Sequence, residues 1–205
     1  TSSGEKTIVR VDRAEPNKNI LRGFRSYEVL LQRHPELQGH VRFLAFLVPS
    51  RTHIRQYQRY LEEIEQMVKG INSSCGTPDW QPIHLFMENN YTQAIAGMKL
   101  YDVLLANTII EGMNLVAKEF VASQGDDPGV VVLSKFCGAS ETMKQALIVN
   151  PYDVEDTAEA IHRALKMSRR ERKSRWDSLM ENISTYTASA WSDSFLHELE
   201  TGDGG

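Results

Sequence analysis

Short apolar runs alternate along this 205-residue chain with longer segments in which apolar residues recur at helical spacing. Continuous apolar runs of about four to eight residues are typical of strands that are buried on both faces. Such strands occur in parallel sheets covered by helices. The alternation therefore predicts an α/β fold in which helices flank a Rossmann-like parallel sheet.

The pattern also assigns the individual elements. The predicted strands cover residues 7–11, 41–48, 83–86, 101–106, 130–134 and 146–149. The predicted helices cover residues 19–34, 54–72, 91–98, 114–124, 153–166, 168–183 and 186–199. The last two helices follow the sheet, and we expect Trp176 and Trp191 to hold them against the body by apolar burial.

Length and composition indicate one globular domain, which we place at residues 7–199. Residues 1–6 are interpreted as a flexible linker or a boundary introduced by cloning, and residues 200–205 as a disordered tail. The net charge of −4 argues against a nucleic-acid partner. No apolar run approaches the ~20 residues of a membrane span.

Cysteine and histidine usage indicates the compartment and the metal content. Cys75 and Cys137 are too few and too far apart for a disulfide framework or a zinc site, so we expect reduced thiols in a cytoplasmic protein. No signal peptide opens the chain. The six histidines show no metal-ligand spacing, and no metal site is predicted.

The first candidate binding site lies between the strand at residues 101–106 and the helix that starts at Asn114. The N-terminus of a helix presents free backbone N–H groups and roughly half a positive charge, which suits a phosphate. Gly112 in this loop has no Cβ and lets a ligand approach the backbone. The alternative is an ordinary loop with a helix-capping Asn, and the residues alone leave both interpretations open.

A second candidate loop follows the first strand and is bracketed by Arg13 and Lys18. In an open parallel sheet, ligands sit beyond the carboxyl ends of the strands, so this loop and the Gly112 loop are expected to meet. Two cations there can hold a diphosphate, the Arg through its fork and the Lys as a point charge. The alternative is a pair of surface charges bridged to Asp12 or Glu15, each bridge worth less than ~1 kcal/mol.

Residues 111–119 read EGMNLVAKE and resemble the DGMNLVAKE signature of the trehalose-6-phosphate synthase family of retaining glycosyltransferases. Further segments resemble family motifs in the same order: VDRAEPNK at 11–18, VPSR at 48–51, DWQPI at 79–83, LSKFCGA at 133–139 and LIVNP at 147–151. Together the resemblance spans residues 7–197. It implies the C-terminal, sugar-nucleotide-binding half of a two-domain (GT-B) enzyme, with the N-terminal Rossmann-like domain missing from this chain.

The resemblance implies roles for the residues of these motifs. Arg13 and Lys18 would stabilise the departing diphosphate, and Glu111, where the family has Asp, would hold the hydroxyls of the donor glucose. The donor nucleotide would be bound by Gly112, Met113, Asn114, Leu115 and Val116, by Glu119 at the ribose, and by Asn90 and Tyr91 at the base. Arg51 would contact the phosphate of the acceptor.

The implied reaction moves glucose from UDP-glucose, or another nucleoside diphosphate glucose, to glucose 6-phosphate and forms a phosphorylated disaccharide such as trehalose 6-phosphate. No Asp-x-Asp pair lies beside these loops, which fits a metal-independent site without a cofactor. Alternatives are another acceptor, such as glycerol 3-phosphate, or a non-catalytic sugar-nucleotide-binding module. A dinucleotide-binding oxidoreductase is disfavoured because no Gly-x-Gly-x-x-Gly follows the first strand. Homo-oligomerisation is left open.

Overall fold

A computed structural model of the chain describes residues 4–99 and 101–202. Its strands are β1 (Lys6–Arg13), β2 (Val41–Val48), β3 (Ile83–Phe86), β4 (Val103–Ala106), β5 (Val130–Ser134) and β6 (Leu147–Val149). They form one parallel sheet in the order β3-β2-β1-β4-β5-β6. The predicted α/β, Rossmann-like fold is confirmed.

The helices are α1 (Ile20–Arg33), α2 (Arg55–Cys75), α3 (Tyr91–Met98), α4 (Leu115–Ser123), α5 (Ala139–Thr142), α6 (Val154–Lys166), α7 (Arg169–Thr185) and α8 (Ala188–Thr201). Every predicted helix and strand is present, with its ends shifted by a few residues. The short α5 and the 3-10 turns at Pro16–Lys18 and Pro35–Leu37 were not predicted. Single turns of this length carry too few residues to show helical periodicity.

Both faces of the sheet are covered, which explains why the strands read as unbroken apolar runs. On one face Ile8 of β1 joins a core cluster with residues of α1, α2 and α6. On the other face its neighbour Val9 joins a second cluster with residues of α3, α4 and α7. Both side chains are completely buried. Alternate residues of each strand therefore serve two separate cores.

The order of the sheet reverses between β1 and β4. From β1 the chain runs outward to β2 and β3, and it then returns to β4 on the other side of β1. The connections that leave the carboxyl ends of β1 and β4 consequently diverge and open a crevice between them. This crevice is where the two loops singled out from the sequence meet.

The two C-terminal helices differ in how they pack. In α7, Leu179 is buried, and the indole of Trp176 donates a hydrogen bond to the carbonyl oxygen of Val121 at 2.8 Å. The prediction for Trp176 is confirmed. The prediction for Trp191 is wrong, because its side chain is 67% exposed and stacks on Phe195 of the same helix, α8. Apolar periodicity indicates which face of α8 is apolar but not which surface covers it.

Regular secondary structure begins before residue 7 and continues beyond residue 199, the predicted limits of the domain. Lys6 already belongs to β1, and Glu5 forms an ion pair with Arg42. Helix α8 continues through Thr201, inside the segment predicted as a tail. Residues 1–3 and 203–205 of the predicted linker and tail lie outside the described residues. Within the described part of the chain, no helix has the length and apolar character that crossing a membrane requires.

We predict that Trp176→Ala lowers the free energy of unfolding much more than Trp191→Ala does. Truncating the half-buried Trp176 leaves a cavity beside α4 and removes one of two hydrogen bonds to the carbonyl oxygen of Val121, which also accepts the N–H of Gln124. The free energy of unfolding should therefore fall by about 2–3 kcal/mol. Trp191→Ala should change it by less than about 0.5 kcal/mol, as for other exposed positions. Urea unfolding followed by circular dichroism measures both. Equal losses would contradict the exposed position of Trp191.

Candidate functional site

A completely buried arginine lies beneath the carboxyl edge of the sheet. Arg10 of β1 donates from Nε to the carboxylate of Asp12 at 2.9 Å and from Nη2 to the carbonyl oxygen of Lys18 at 2.8 Å. Its Nη2 also contacts Oδ1 of Asn107, which follows β4. A buried cation is tolerated only when it is paired and hydrogen-bonded in this way. The guanidinium thus joins the two loops on either side of the crevice.

Asp12 is buried beside Arg10 and carries the compensating charge. Burial raises the pKa of this carboxyl above its ordinary value, while the charges of Arg10 and Lys18 act in the opposite direction. The ammonium of Lys18 lies 3.5 Å from Oδ1 of Asp12. Asp12 therefore contacts Arg10 and Lys18 at the same time.

Asn19 fixes the loop that follows β1. It adopts the left-handed conformation with φ of 58°, and its Nδ2 donates to the carbonyl oxygens of Asn107 at 3.0 Å and Pro151 at 2.8 Å. Sequence reasoning missed Arg10, Asn19 and Asn107. The available signal was an arginine inside an otherwise apolar strand, since a charge buried in a covered sheet requires partners.

Lys18 and Glu111 connect the two candidate loops directly. Lys18 ends the 3-10 turn after β1, its side chain is only 7% exposed, and its ammonium forms an ion pair with Glu111. The other carboxylate oxygen of Glu111 accepts a hydrogen bond from Nδ2 of Asn114 at 2.9 Å. A cation from one loop, a carboxylate from the next and the start of α4 therefore form one connected group.

The start of α4 fits both interpretations of its loop, a helix capped by Asn114 and an N-terminus that can bind an anion. Asn114, with φ of 77°, caps the helix by accepting the N–H of Ala117 at 2.9 Å. A helix cannot satisfy its first N–H groups internally, and those of Leu115 and Val116 belong to this set. The capping Asn is real, and it leaves N–H groups at the N-terminus of α4 suited to an anion.

Backbone strain is concentrated on the same edge. Among residues 4–99 and 101–202, the non-glycine residues with positive φ are Asn19, Arg51 and Asn114. They follow β1, β2 and β4 respectively. Left-handed conformations of this kind are costly for residues with a Cβ and are most frequent at functional sites.

The loop between β4 and α4 rests on the segment between β5 and β6. The N–H of Glu111 donates to Phe136, the N–H of Gly138 donates to Glu111, and the N–H of Ala139 donates to Met113, at 3.2, 3.1 and 2.9 Å. A Cβ added to Gly138 would lie 2.0 Å from the carbonyl oxygen of Gly112. Gly138 was missed as a site residue, although it stands in the segment at 133–139.

A cleft of about 420 Å³ opens above this framework. The side chains and backbone that line it come from the ends of β1 and β2 and from the start of α4: Val11, Asp12, Arg13, Lys18, Val48, Glu111, Met113, Asn114, Leu115 and Val116. The guanidinium of Arg13 is largely exposed and lies 3.1 Å from the carboxylate of Glu15. The predicted convergence of Arg13, Lys18 and the Asn114 helix start is therefore observed. The ion pairs with Asp12 and Glu15, which the alternative interpretation predicted, are also present. Lys18, however, is buried and does not lie on the surface.

Four of the remaining predicted residues, Arg51, Gly112, Glu119 and Asn90, are not among the described residues that line the cleft. Arg51 follows β2 at the same edge and hydrogen-bonds the hydroxyl of Tyr57 at 2.9 Å. Gly112 and Glu119 are exposed, and Asn90 caps α3 by accepting the N–H of Gln93 at 3.0 Å. Tyr91 is the first residue of α3.

Comparison with known proteins places this geometry in context. The sequence profile of glycosyltransferase family 20 matches residues 1–201. The alpha,alpha-trehalose-phosphate synthase [UDP-forming] of Pichia angusta is 36% identical over 195 residues, which are 95% of this chain and 41% of that protein. The chain thus spans less than half the length of this relative.

Solved structures give the same result. A UDP-forming alpha,alpha-trehalose-phosphate synthase from Burkholderia xenovorans, in complex with glucose-6-phosphate, superposes with a TM-score of 0.91 at 35% identity, over 96% of this chain and 44% of that one. A trehalose-6-phosphate protein from E. coli, bound with UDP-2-fluoro glucose, superposes with a TM-score of 0.91 at 34% identity, again over 96% and 44%.

We predict that the same substitution has different effects on stability at Gly138 and at Gly112. Gly138→Ala forces a Cβ against the backbone of Gly112 and should lower the free energy of unfolding by about 2–3 kcal/mol. Gly112→Ala meets no atom within 4 Å, so stability should stay within about 0.5 kcal/mol or rise slightly. Thermal unfolding of both variants checks this. A Gly138→Ala protein as stable as the parent would contradict the tight contact between the two loops.

Proposed function

Because the chain belongs to glycosyltransferase family 20, we propose that it is the donor-binding part of a retaining glucosyltransferase. Its donor is a nucleoside diphosphate glucose such as UDP-glucose. The acceptor is glucose 6-phosphate, and the product is a phosphorylated disaccharide such as trehalose 6-phosphate. The observation that carries the proposal is the convergence of Arg13, Lys18, Glu111 and the start of α4 on one cleft.

The chemistry of the transfer matches the groups around the cleft. Glucosyl transfer breaks the bond between the anomeric carbon and an oxygen of the diphosphate, so negative charge grows on the leaving group. Preorganised donors that point at developing charge lower the barrier to such a step. Arg13, Lys18 and the N–H groups of Leu115 and Val116 are donors of this kind. They hold the diphosphate before and after the bond breaks.

Glu111 has a different role in this proposal. Its carboxylate is an acceptor for the hydroxyls of the donor glucose, and the hydrogen bond from Asn114 keeps it oriented toward the cleft. The family signature has Asp at this position, and Glu is one methylene longer. In this chain the extra length allows the carboxylate to contact Lys18 of the opposite loop. The exposed Glu119 would contact the ribose, and the backbone near Asn90 and Tyr91 the base.

The acceptor side of the site is incomplete in this chain. A relative that is more than twice as long as the part it shares with this chain is named a UDP-forming alpha,alpha-trehalose-phosphate synthase, and a similar structure from Burkholderia xenovorans is described in complex with glucose-6-phosphate. We propose that an N-terminal Rossmann-like domain supplies the opposite wall of the cleft. Arg51, on the rim beside Ser50 and Glu15, would contact the phosphate of the acceptor.

Other partners follow from the same interpretation. The site needs no metal ion, because cations and backbone N–H groups take the role of balancing the diphosphate. Nucleic acid is not a partner of a chain with a net charge of −4. The free thiols of Cys75 and Cys137 support a cytoplasmic location. Homo-oligomerisation stays open.

Calorimetric titration with UDP, ADP, UDP-glucose and NAD tests the proposal. We expect weak binding of a nucleoside diphosphate or its glucose ester, no turnover by this chain alone, and turnover when the N-terminal half of a family member is added in trans. Binding without rescue would favour a non-catalytic sugar-nucleotide module. Binding of NAD alone, or robust disaccharide phosphate synthesis by the isolated chain, would contradict the proposal.

We predict that Arg13→Ala weakens the binding of UDP or UDP-glucose by about ten-fold or more. The lost contact is a charge-assisted hydrogen bond, worth roughly 1.5–3 kcal/mol. Arg25→Ala is the matched control, since Arg25 is also exposed and paired with a carboxylate, that of Glu28, but lies on α1 away from the cleft. Equal dissociation constants for the parent and Arg13→Ala, measured calorimetrically, would remove Arg13 from the site.

A further inference from the structure

Two histidines and a glutamate from separate parts of the chain meet beside α1 and α6. His34 follows the last residue of α1, Glu36 lies in the Pro35–Leu37 turn, and His162 lies on α6. Their ligand atoms all lie within 4.8 Å of one another. Nδ1 of His34 is 3.3 Å from Oε1 of Glu36. No sequence motif signals this group, because one of its members is more than a hundred residues from the others.

The backbone that carries these side chains is already fixed. The N–H of His34 donates to Leu30, and the carbonyl oxygen of His34 accepts the N–H of Leu37, both at 2.9 Å. Pro35 between the first two members restricts the chain further. His162 lies within α6, which packs along α1. An ion bound here would therefore have to order only side chains.

The two imidazoles lie against each other, with their ring centroids 3.5 Å apart. A ring nitrogen without a hydrogen-bond partner can offer its lone pair to a metal ion. Within the described part of the chain, Nε2 of His162 is buried and has no hydrogen-bond partner.

We propose that His34, Glu36 and His162 bind one divalent transition-metal ion, with Zn²⁺ as the best match. Two imidazole nitrogens and one carboxylate oxygen are a common zinc ligand set, and a water completes the tetrahedron. Donor atoms in such a site lie about 3.3 Å apart, given metal–ligand bonds of roughly 2.0–2.1 Å. Because the two rings stack with an interplanar angle of 25°, the imidazoles must rotate out of the stack to point their in-plane lone pairs at one ion.

The ion would act as a clamp and not in catalysis. His34 lies on the side of the domain from which β2 begins, whereas the cleft lies at the carboxyl ends of the strands. Binding joins the end of α1 to α6. Glu159 lies one helical turn before His162, with Oε1 at 3.9 Å from Nδ1, and a shorter approach would make it an outer carboxylate partner of that ring. Hard Mg²⁺, which prefers oxygen ligands, would not be bound.

Titration of the chelator-treated chain, produced without a histidine tag, with ZnCl₂ tests the proposal. We expect saturable binding of one ion per chain, a higher melting temperature with Zn²⁺, and neither effect with MgCl₂. His34→Ala and His162→Gln should each weaken Zn²⁺ binding at least ten-fold. His197→Ala, which removes an exposed histidine of α8, is the matched control and should bind as the parent does.

The outcomes separate this proposal from the donor site. Circular dichroism shows whether each variant is folded. If His162→Gln does not fold, His34→Ala alone tests the proposal. No saturable binding by the folded parent, or equal affinity in parent and His34→Ala, overturns the zinc site. Loss of binding in His197→Ala also overturns it. UDP binding should be the same with and without Zn²⁺, so failure of either proposal leaves the other intact.

Discussion

The guanidinium of Arg10 is the interaction on which the candidate site depends. It lies completely buried between the loop after β1 and the segment after β4, and it bonds to Asp12, to the backbone of Lys18 and to Asn107. These two connections diverge because the sheet order reverses between β1 and β4. Parallel pairing alone fixes where the strands end but not how the loops beyond them sit. Arg10 supplies that second constraint.

The absence of a Cβ at Gly23 leaves room for the side chain of Arg10. A Cβ on Gly23 of α1 would lie 2.3 Å from Nη1 of Arg10. Asn19, in its left-handed conformation, closes the same region by bonding to the backbone on both sides. The start of α1, the end of β4 and the loop after β6 are therefore held relative to one another before any ligand is considered. A preorganised frame of this kind is what electrostatic stabilisation of a leaving group requires.

The sequence predicted the fold more fully than the site, and the difference has a physical origin. Strands buried on both faces and amphipathic helices are local patterns, so β2 or α6 is recognised from its own residues. Contacts between distant segments are not local. The pairing of Lys18 with Glu111 and the contact of Gly138 with Gly112 depend on which strands are neighbours. Trp191 shows the limit for packing, since an apolar residue in a helix does not reveal which surface, if any, covers it.

The ion pair between Lys18 and Glu111 has a consequence for selectivity. Within the proposed function, an anion that replaced Glu111 at the ammonium of Lys18 would leave that carboxylate without its cationic partner in a partly buried position, which is costly. A ligand that brings phosphate oxygens to the lysine and hydroxyl groups to the carboxylate would satisfy both side chains. The pair would therefore favour molecules that join a sugar to a phosphate over sulfate and orthophosphate.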